Sequence, residues 1–154
     1  MLLLSEKGSK EMVNLSKLYQ IAEDESIEVD CFALTKRDAM SMMDDDGDCF
    51  IAIDPYKLQS SRDEMVKLAH ELGHCVTGSF YNQYSDFDCR QRHENKADKW
   101  AIKHLIPVND LDDAITDGCT EIWELAERFG VTEQFMQKAV CYYVHGNLAS
   151  ELYF

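Results

Sequence analysis

The feature that most constrains this chain is the run His70–His74, which reads HELGH. It lies within residues 61–77, where apolar residues recur at the spacing of an amphipathic helix. Ser61 and Glu64 have the spacing of a capping box at the start of this segment, and Gly78 is a typical helix stop. The pattern therefore predicts one helix over residues 61–77 with both histidines inside it.

Histidines four positions apart on a helix lie one turn apart on the same face. The imidazoles of His70 and His74 can therefore both reach one metal ion at about 2.0–2.1 Å. Glu71 lies beside this face and can take a proton from a water molecule at the metal. The run therefore predicts a catalytic metal site with Glu71 as its base. Zn²⁺ is the expected ion, and Mn²⁺ suits similar donors.

A catalytic zinc site commonly has three protein ligands, so a third must come from another element. Residues 93–106 have a second helical pattern, with Glu94 and Asp98 on the same side as Ala97 and Ala101. We expect Glu94 to be the third ligand. Asp98, one turn further on, can accept the free N–H of a ligating histidine and hold its ring in place.

Matches to His-Glu-x-x-His also arise by chance on ordinary helices. Here the second helix carries acidic residues on its apolar side, where burial without a partner would be costly, and this favours the metal site. Cys89 and His93 are also four positions apart and offer an alternative pair of ligands, but we expect both to be bystanders. The polar and aromatic segment 79–92 has no clear period and is predicted to be a loop.

The rest of the chain combines helical patterns with shorter extended ones. A helix is expected over residues 10–26, and shorter ones near 109–116, 120–129 and 132–144. Extended segments are expected at 27–34 and 49–53, with a turn at 44–48 between them. No linker or repeat divides residues 1–154, so a single domain is expected.

The charge of the chain bears on its partners. Lys and Arg number 15 and Asp and Glu 29, a net charge of −14, which repels phosphate backbones and argues against a nucleic-acid ligand. The spacing of Ala126, Gly130 and Met136 resembles a helix-turn-helix, but the following segment is not basic, so a DNA-binding regulator is disfavoured. The charge suits a basic partner, such as a DNA-binding protein.

The sequence also bears on where the protein is located. The six cysteines are scattered without a Cys-x-x-Cys pair, which is typical of free thiols in a reducing compartment. The first residues lack the pattern of a signal peptide, and no apolar run is long enough for a membrane span. We therefore expect a cytoplasmic protein with no membrane partner.

Two motifs together resemble the ImmA/IrrE metallopeptidases. That family has HELGH followed by Glu-x-x-Ala-(Asn or Asp)-x-aromatic-Ala and then by a Leu-Leu-x-Pro-like segment. Here residues 94–101 read ENKADKWA, and residues 105–107 read LIP. The resemblance extends from about residue 14 to about residue 143, and its two paired motifs are its specific part.

The resemblance implies a bacterial or phage-borne peptidase with a zincin-like α+β fold, mostly helical with a small β-sheet. Several members cleave a repressor that has a helix-turn-helix DNA-binding domain and so switch on stress-response or mobile-element genes. It also implies that His70, His74 and Glu94 ligate the metal and that Glu71 is the base. Tyr81, Tyr84 and His93 remain alternatives for stabilising the oxyanion of the reaction. A metal-binding anti-repressor that acts by binding alone would have the same ligands.

Overall fold

A computed structural model of the protein describes residues 13–152. One helix is followed by three strands and then by a run of helices. The helices are α1 (Leu15–Asp24), α2 (Ser61–Thr77), α3 (Phe87–Leu105), α4 (Val108–Thr116), α5 (Ile122–Phe129), α6 (Glu133–His145) and α7 (Ala149–Leu152). The strands are β1 (Glu28–Cys31), β2 (Ala39–Met43) and β3 (Cys49–Ile53). The predicted α+β fold, mostly helical with a small sheet, is confirmed.

The sheet has the strand order β1-β3-β2, with β1 parallel and β2 antiparallel to the central strand β3. Alternate residues of β3 are buried, namely Cys49, Ile51 and Ile53. This alternation is that of a strand with one face on the core. A turn joins β2 to β3, as predicted, because the Asp44 carboxylate accepts hydrogen bonds from the backbone N–H groups of Asp46 and Asp48.

Helix α2 packs against both the sheet and α3. Its apolar face carries Leu68, Ala69 and Leu72, each 0% exposed. Full burial of a leucine side chain contributes about 1.5–3 kcal/mol. The helix that carries the histidines is therefore a central and firmly held element of the fold.

Helices α2 and α3 approach each other most closely at Gly73. A Cβ atom at this position would lie 2.6 Å from the backbone oxygen of Ala97, which is too close for any real side chain. The absence of a side chain at Gly73 therefore allows the two backbones to meet. Ala97 lies between Glu94 and Asp98 in sequence, so this contact brings both carboxylates beside α2.

The later helices are joined to α3. The Tyr143 hydroxyl on α6 donates to the backbone oxygen of Ile106 at 2.6 Å. At the other end, Ser150 on α7 donates to the Asn95 side chain at 2.8 Å, and Lys99 pairs with Glu151 at 2.6 Å. Helix α3 thus contacts α2 on one side and is held by the C-terminal helices elsewhere.

Helix α2 has its predicted bounds but a different capping residue, and helix α1 starts later than predicted. The N-cap of α2 is Ser60, whose hydroxyl accepts from the backbone N–H of Asp63, so the predicted capping role of Ser61 is wrong by one residue. Helix α1 begins after Asn14, whose side chain caps it at Lys17 N–H, rather than at residue 10. Residues 10–12 of that prediction lie outside the described residues.

The prediction of a loop over residues 79–92 is wrong from Phe87 onward. Asp86 accepts from the backbone N–H of Cys89 at 2.7 Å and starts α3 there, well before the predicted residue 93. The first two turns of α3 contain no buried residue, and Phe87 is 65% exposed. Without a buried face these turns have no apolar period, which is why the pattern did not reveal them.

Strand β2 and helix α7 were not predicted.

In the part of the chain that the structure covers, no helix combines the length and apolar character needed to cross a bilayer.

Candidate metal centre

Three side chains from two helices converge at the contact between α2 and α3. His70 and His74 come from α2, and Glu94 comes from α3. The Nε2 atom of His70 lies 2.8 Å from Oε2 of Glu94, and that of His74 lies 3.2 Å from Oε1. One donor atom of each residue lies within 4.8 Å of the others, so the three form a group that could hold one metal ion.

Hydrogen bonds on the far side of each ring define the tautomers. His70 donates from Nδ1 to the Asp98 carboxylate at 2.8 Å, and His74 donates from Nδ1 to the backbone oxygen of Ser79 at 2.5 Å. With the proton on Nδ1, a neutral imidazole has its lone pair on Nε2. Both lone pairs therefore belong to the nitrogens that face Glu94.

The chemistry of this donor set fits a divalent cation. The two Nε2 atoms lie 3.1 Å apart, and both face carboxylate oxygens, so hydrogen-bond acceptors confront acceptors. Such a group repels itself unless a cation or a proton lies within it. Ligands at about 2.0–2.2 Å from a tetrahedral zinc ion are separated by about 3.3 Å, close to the distances found here.

The pKa values of His70 and Glu94 also show that this position favours a positive charge. Burial disfavours the charged form of His70, but hydrogen bonds to Asp98 and Glu94 outweigh it and raise the pKa of His70 to about 10. Burial also opposes ionisation of Glu94, yet hydrogen bonds from His70, His74 and Tyr81 hold the pKa of Glu94 well below its usual range. Glu94 is therefore held as a carboxylate, the form that can ligate a metal ion.

Glu71 lies beside this group and has a partner that the sequence did not suggest. It is only 9% exposed, and its Oε2 atom accepts a hydrogen bond of 2.5 Å from the Ser41 hydroxyl. Ser41 belongs to β2, the strand that was not predicted, so no signal in the sequence placed it near the histidines. The hydrogen bond holds one oxygen of Glu71 and leaves the other free to act.

Two cavities meet at the candidate ligands. The first has a volume of about 530 Å³ and is lined by Arg37, Ser41, Glu71 and Tyr81 together with all three ligands. The second, of about 500 Å³, is lined by Lys67, Asp98, Phe135 and Lys138 together with His70 and Glu94. Since both cavities include His70 and Glu94, these two residues lie between them, and an extended segment of polypeptide could occupy both.

The three residues considered for the oxyanion lie in different places. Tyr81 lines the first cavity, and its hydroxyl donates to Oε1 of Glu94 at 2.7 Å. Tyr84 is 85% exposed and does not line it. His93 stacks on Tyr81, with the ring centroids 6.4 Å apart, and its buried Nδ1 has no hydrogen-bond partner among the described residues.

The sequence also offered Cys89 and His93 as an alternative pair of ligands. Neither belongs to the group of donors around His70 in the described part of the chain. Asp98, by contrast, lies where it was expected. It accepts from His70 and pairs with Lys138 of α6 at 3.0 Å.

Two histidines and a glutamate that could hold one ion lie next to a buried carboxylate and an open cleft, which is an arrangement typical of metallopeptidases. Residues 28–140 match the sequence pattern of the IrrE N-terminal-like domain, Peptidase M78. The chain belongs to this family of peptidases, and the resemblance that the two motifs suggested is confirmed. No curated protein matches the chain.

Proposed function

We propose that this protein is a zinc-dependent endopeptidase in which His70, His74 and Glu94 hold Zn²⁺. The observation that carries the proposal is the convergence of three acceptor groups beside the buried Glu71. Membership of a peptidase family supports the same reaction. The same donor set also suits Mn²⁺, because imidazole and carboxylate are ligands of both ions.

The residues that surround the candidate ligands have separate roles in the hydrolysis of a peptide bond. When bound, the metal acts as a Lewis acid that lowers the pKa of water and polarises the scissile carbonyl. Glu71 accepts the proton of the attacking water and passes it to the leaving amine. Ser41 holds Glu71 in position. Tyr81 lines the cavity next to the ligands, and its hydroxyl would serve the oxyanion by turning its hydrogen away from Glu94.

Asp98 supports the ligands through His70. Its carboxylate holds the proton on Nδ1, which keeps Nε2 available to the metal and fixes the plane of the ring. Burial disfavours the ionised form of Asp98, but hydrogen bonds and charge from His70 and Lys138 lower its pKa. Asp98 therefore stays a carboxylate at neutral pH and remains an acceptor.

We infer that the substrate is a protein, namely a helix-turn-helix transcriptional repressor of a phage, a mobile element or a bacterial stress response. The motif resemblance to repressor-cleaving peptidases supports this class of substrate. The net charge of −14 favours encounter with a basic DNA-binding protein and disfavours nucleic acid itself. Such a substrate places the enzyme in the cytoplasm, and residues 1–154 act as a single domain.

The alternative is an anti-repressor that binds through the metal site without cleavage. Glu71 separates the two functions, because binding alone needs no proton acceptor there. The burial of Glu71 and its hydrogen bond with Ser41 favour catalysis, because burying a carboxylate costs free energy and a protein that only binds would gain nothing from it.

The test compares wild-type protein with Glu71→Gln against a helix-turn-helix repressor, following cleavage by mass spectrometry and zinc content by elemental analysis. The variant should retain zinc and lose cleavage by about a hundredfold to ten-thousandfold. Glu64→Gln makes the same chemical change on α2 away from both cavities and should cleave normally. His70→Ala should lose zinc. Normal cleavage by Glu71→Gln would refute the mechanism.

A further inference from the structure

Two arginines line the first cavity, although acidic residues outnumber basic ones in this chain by 29 to 15. Arg37 lies in the loop between β1 and β2, and Arg90 lies in the first turn of α3. A guanidinium group is the side chain best suited to binding a carboxylate, because its fork of N–H donors matches the two oxygens. The question is which of the two is free to bind one.

The guanidinium of Arg90 already forms hydrogen bonds within the protein. Its Nε donates to the backbone oxygen of Ser85 at 2.9 Å, and its Nη2 donates to that of Gln83 at 2.6 Å. Its guanidinium also lies 6.0 Å from the centre of the Tyr81 ring. Arg90 therefore holds the segment before α3, and with it the position of Tyr81.

Arg37 is not committed in this way. Its side chain is exposed, and it forms no ion pair with any carboxylate of residues 13–152. Its guanidinium lies near enough to the Tyr81 hydroxyl, which itself donates to Glu94, to oppose the rise in the pKa of Tyr81 that burial and Glu94 cause. An arginine has five N–H donors, and one hydroxyl oxygen occupies few of them. Donors of Arg37 thus remain available next to the candidate ligands.

The second cavity differs in this respect. Its two lysines are each paired with a carboxylate, Lys67 with Asp38 at 2.5 Å and Lys138 with Asp98 at 3.0 Å. Any substrate group that used these lysines would have to displace a partner already in place. The two sides of the candidate metal centre are therefore unequal, because Arg37 on the first side has no carboxylate partner among residues 13–152.

We propose that Arg37 binds a carboxylate of the substrate, so that the enzyme selects a polypeptide with an aspartate or glutamate next to the scissile bond on the side of the first cavity. The inference rests on the proposed endopeptidase function and adds a substrate preference to it. A free C-terminal carboxylate has the same chemistry as an acidic side chain. The experiment must therefore distinguish these two sources.

The experiment uses full-length, zinc-loaded protein and a library of peptides with randomised sequence, acetylated at the N-terminus and amidated at the C-terminus. Products are sequenced by mass spectrometry, and the frequency of each amino acid is counted at every position around the cut. Wild type should favour Asp or Glu at one position on the order of tenfold over Asn or Gln. A matching library with free C-termini tests the other source of a carboxylate.

Substitutions assign the preference to Arg37. Arg37→Gln should abolish the preference for acidic residues, and Arg37→Glu should convert it into a preference for Lys or Arg at the same position. Lys36→Gln removes the same charge from the adjacent residue, which does not line the first cavity, and should keep the wild-type preference. Zinc content is measured for each variant, because a change in metal occupancy would lower cleavage of every sequence alike.

The outcomes separate this inference from the function on which it rests. If wild type cleaves neither the library nor a repressor, the endopeptidase function itself is wrong. Cleavage without an acidic preference, or a preference that survives Arg37→Gln, overturns the inference and leaves the function intact. A preference confined to free C-termini also overturns it. An equal loss for all sequences in Arg37→Gln would assign Arg37 to oxyanion stabilisation with Tyr81 instead.

Discussion

Both histidines of the candidate centre donate from Nδ1, but the two acceptors differ in kind. His74 donates to the backbone oxygen of Ser79, which lies just beyond the end of the same helix. His70 donates to Asp98, a side chain of α3. The orientation of His74 is therefore set locally, whereas that of His70 depends on how α3 is placed. A change that moves α3 should disturb His70 and Glu94 together and leave His74 in position.

Gly73 is the residue at which this dependence can be tested. Within a helix, Gly→Ala is ordinarily favourable by about 0.5–1 kcal/mol. At Gly73 the added Cβ would lie 2.6 Å from the Ala97 oxygen and 2.9 Å from its Cα, so the backbone of α3 must move. Gly73→Ala should lower the free energy of unfolding by about 1–3 kcal/mol and also weaken zinc binding. Urea titration and a zinc-chelator competition measure the two effects.

Gly78→Ala is the matched control for that prediction. Gly78 ends the same helix with φ of +65°, and no neighbouring atom lies near its missing side chain. Alanine in this left-handed conformation costs about 1–2 kcal/mol, but α3 is not displaced. Zinc affinity should therefore fall in Gly73→Ala alone. Equal zinc affinity in the two variants would show that the contact with Ala97 does not position Glu94.

At the scale of whole elements, α3 connects the C-terminal helices with the candidate metal centre. Lys138 of α6 pairs with the outer oxygen of Asp98, and the inner oxygen accepts from His70. Helix α6 thereby contacts the support of a candidate ligand without touching the ligand. Lys99, also on α3, pairs instead with Glu151 of α7 at 2.6 Å.

These two lysines form a matched pair for a test. Lys138→Met removes the partner of Asp98 and should weaken zinc affinity by roughly threefold to tenfold, below the usual effect of losing a direct partner of a ligand. Lys138→Arg keeps the charge and should restore most of the affinity. Lys99→Met should destabilise the packing of α7 and leave zinc affinity unchanged. If both Met variants weaken zinc binding equally, α6 has no specific link to the centre.

Whether the sequence predicts a helix or strand depends on how the residues of that element are buried. Helix α2 was predicted at its observed bounds because its apolar residues face a core and recur at helical spacing. Strand β2 was missed because its run AMSMM has no alternation of apolar and polar residues. The predicted start of α3 was too late because the first turns of this helix contain no buried residue.

The candidate site was predictable to a similar degree. The placement of His70, His74, Glu94 and Asp98 followed from spacing on two helices, since residues one turn apart share a face. Ser41 and Arg37 could not be placed, because their positions depend on how β2 and its preceding loop pack against α2. Local spacing reveals groups that share an element, whereas groups brought together by tertiary packing need the structure.

For the whole molecule, the candidate metal centre would cross-link α2 and α3, which are the two longest helices among the described residues. The triad takes two groups from α2 and one from α3, and the other elements pack around this pair. Without a cation the facing acceptors oppose the contact between the helices, and with one they reinforce it. Metal binding should therefore stabilise the entire fold rather than the cleft alone, because an ion that binds only the folded state shifts the unfolding equilibrium.

Thermal unfolding measures this coupling. Zinc at a thousand times its dissociation constant should add about 4 kcal/mol to the free energy of unfolding and raise the Tm by about 8–16 °C over EDTA-treated protein. Mg²⁺, which prefers oxygen ligands, should leave the Tm nearly unchanged. In Glu94→Gln, which keeps the shape of the side chain but loses its charge, zinc should raise the Tm by only a few degrees. A full shift in that variant would mean that zinc acts elsewhere, for example at the free cysteines.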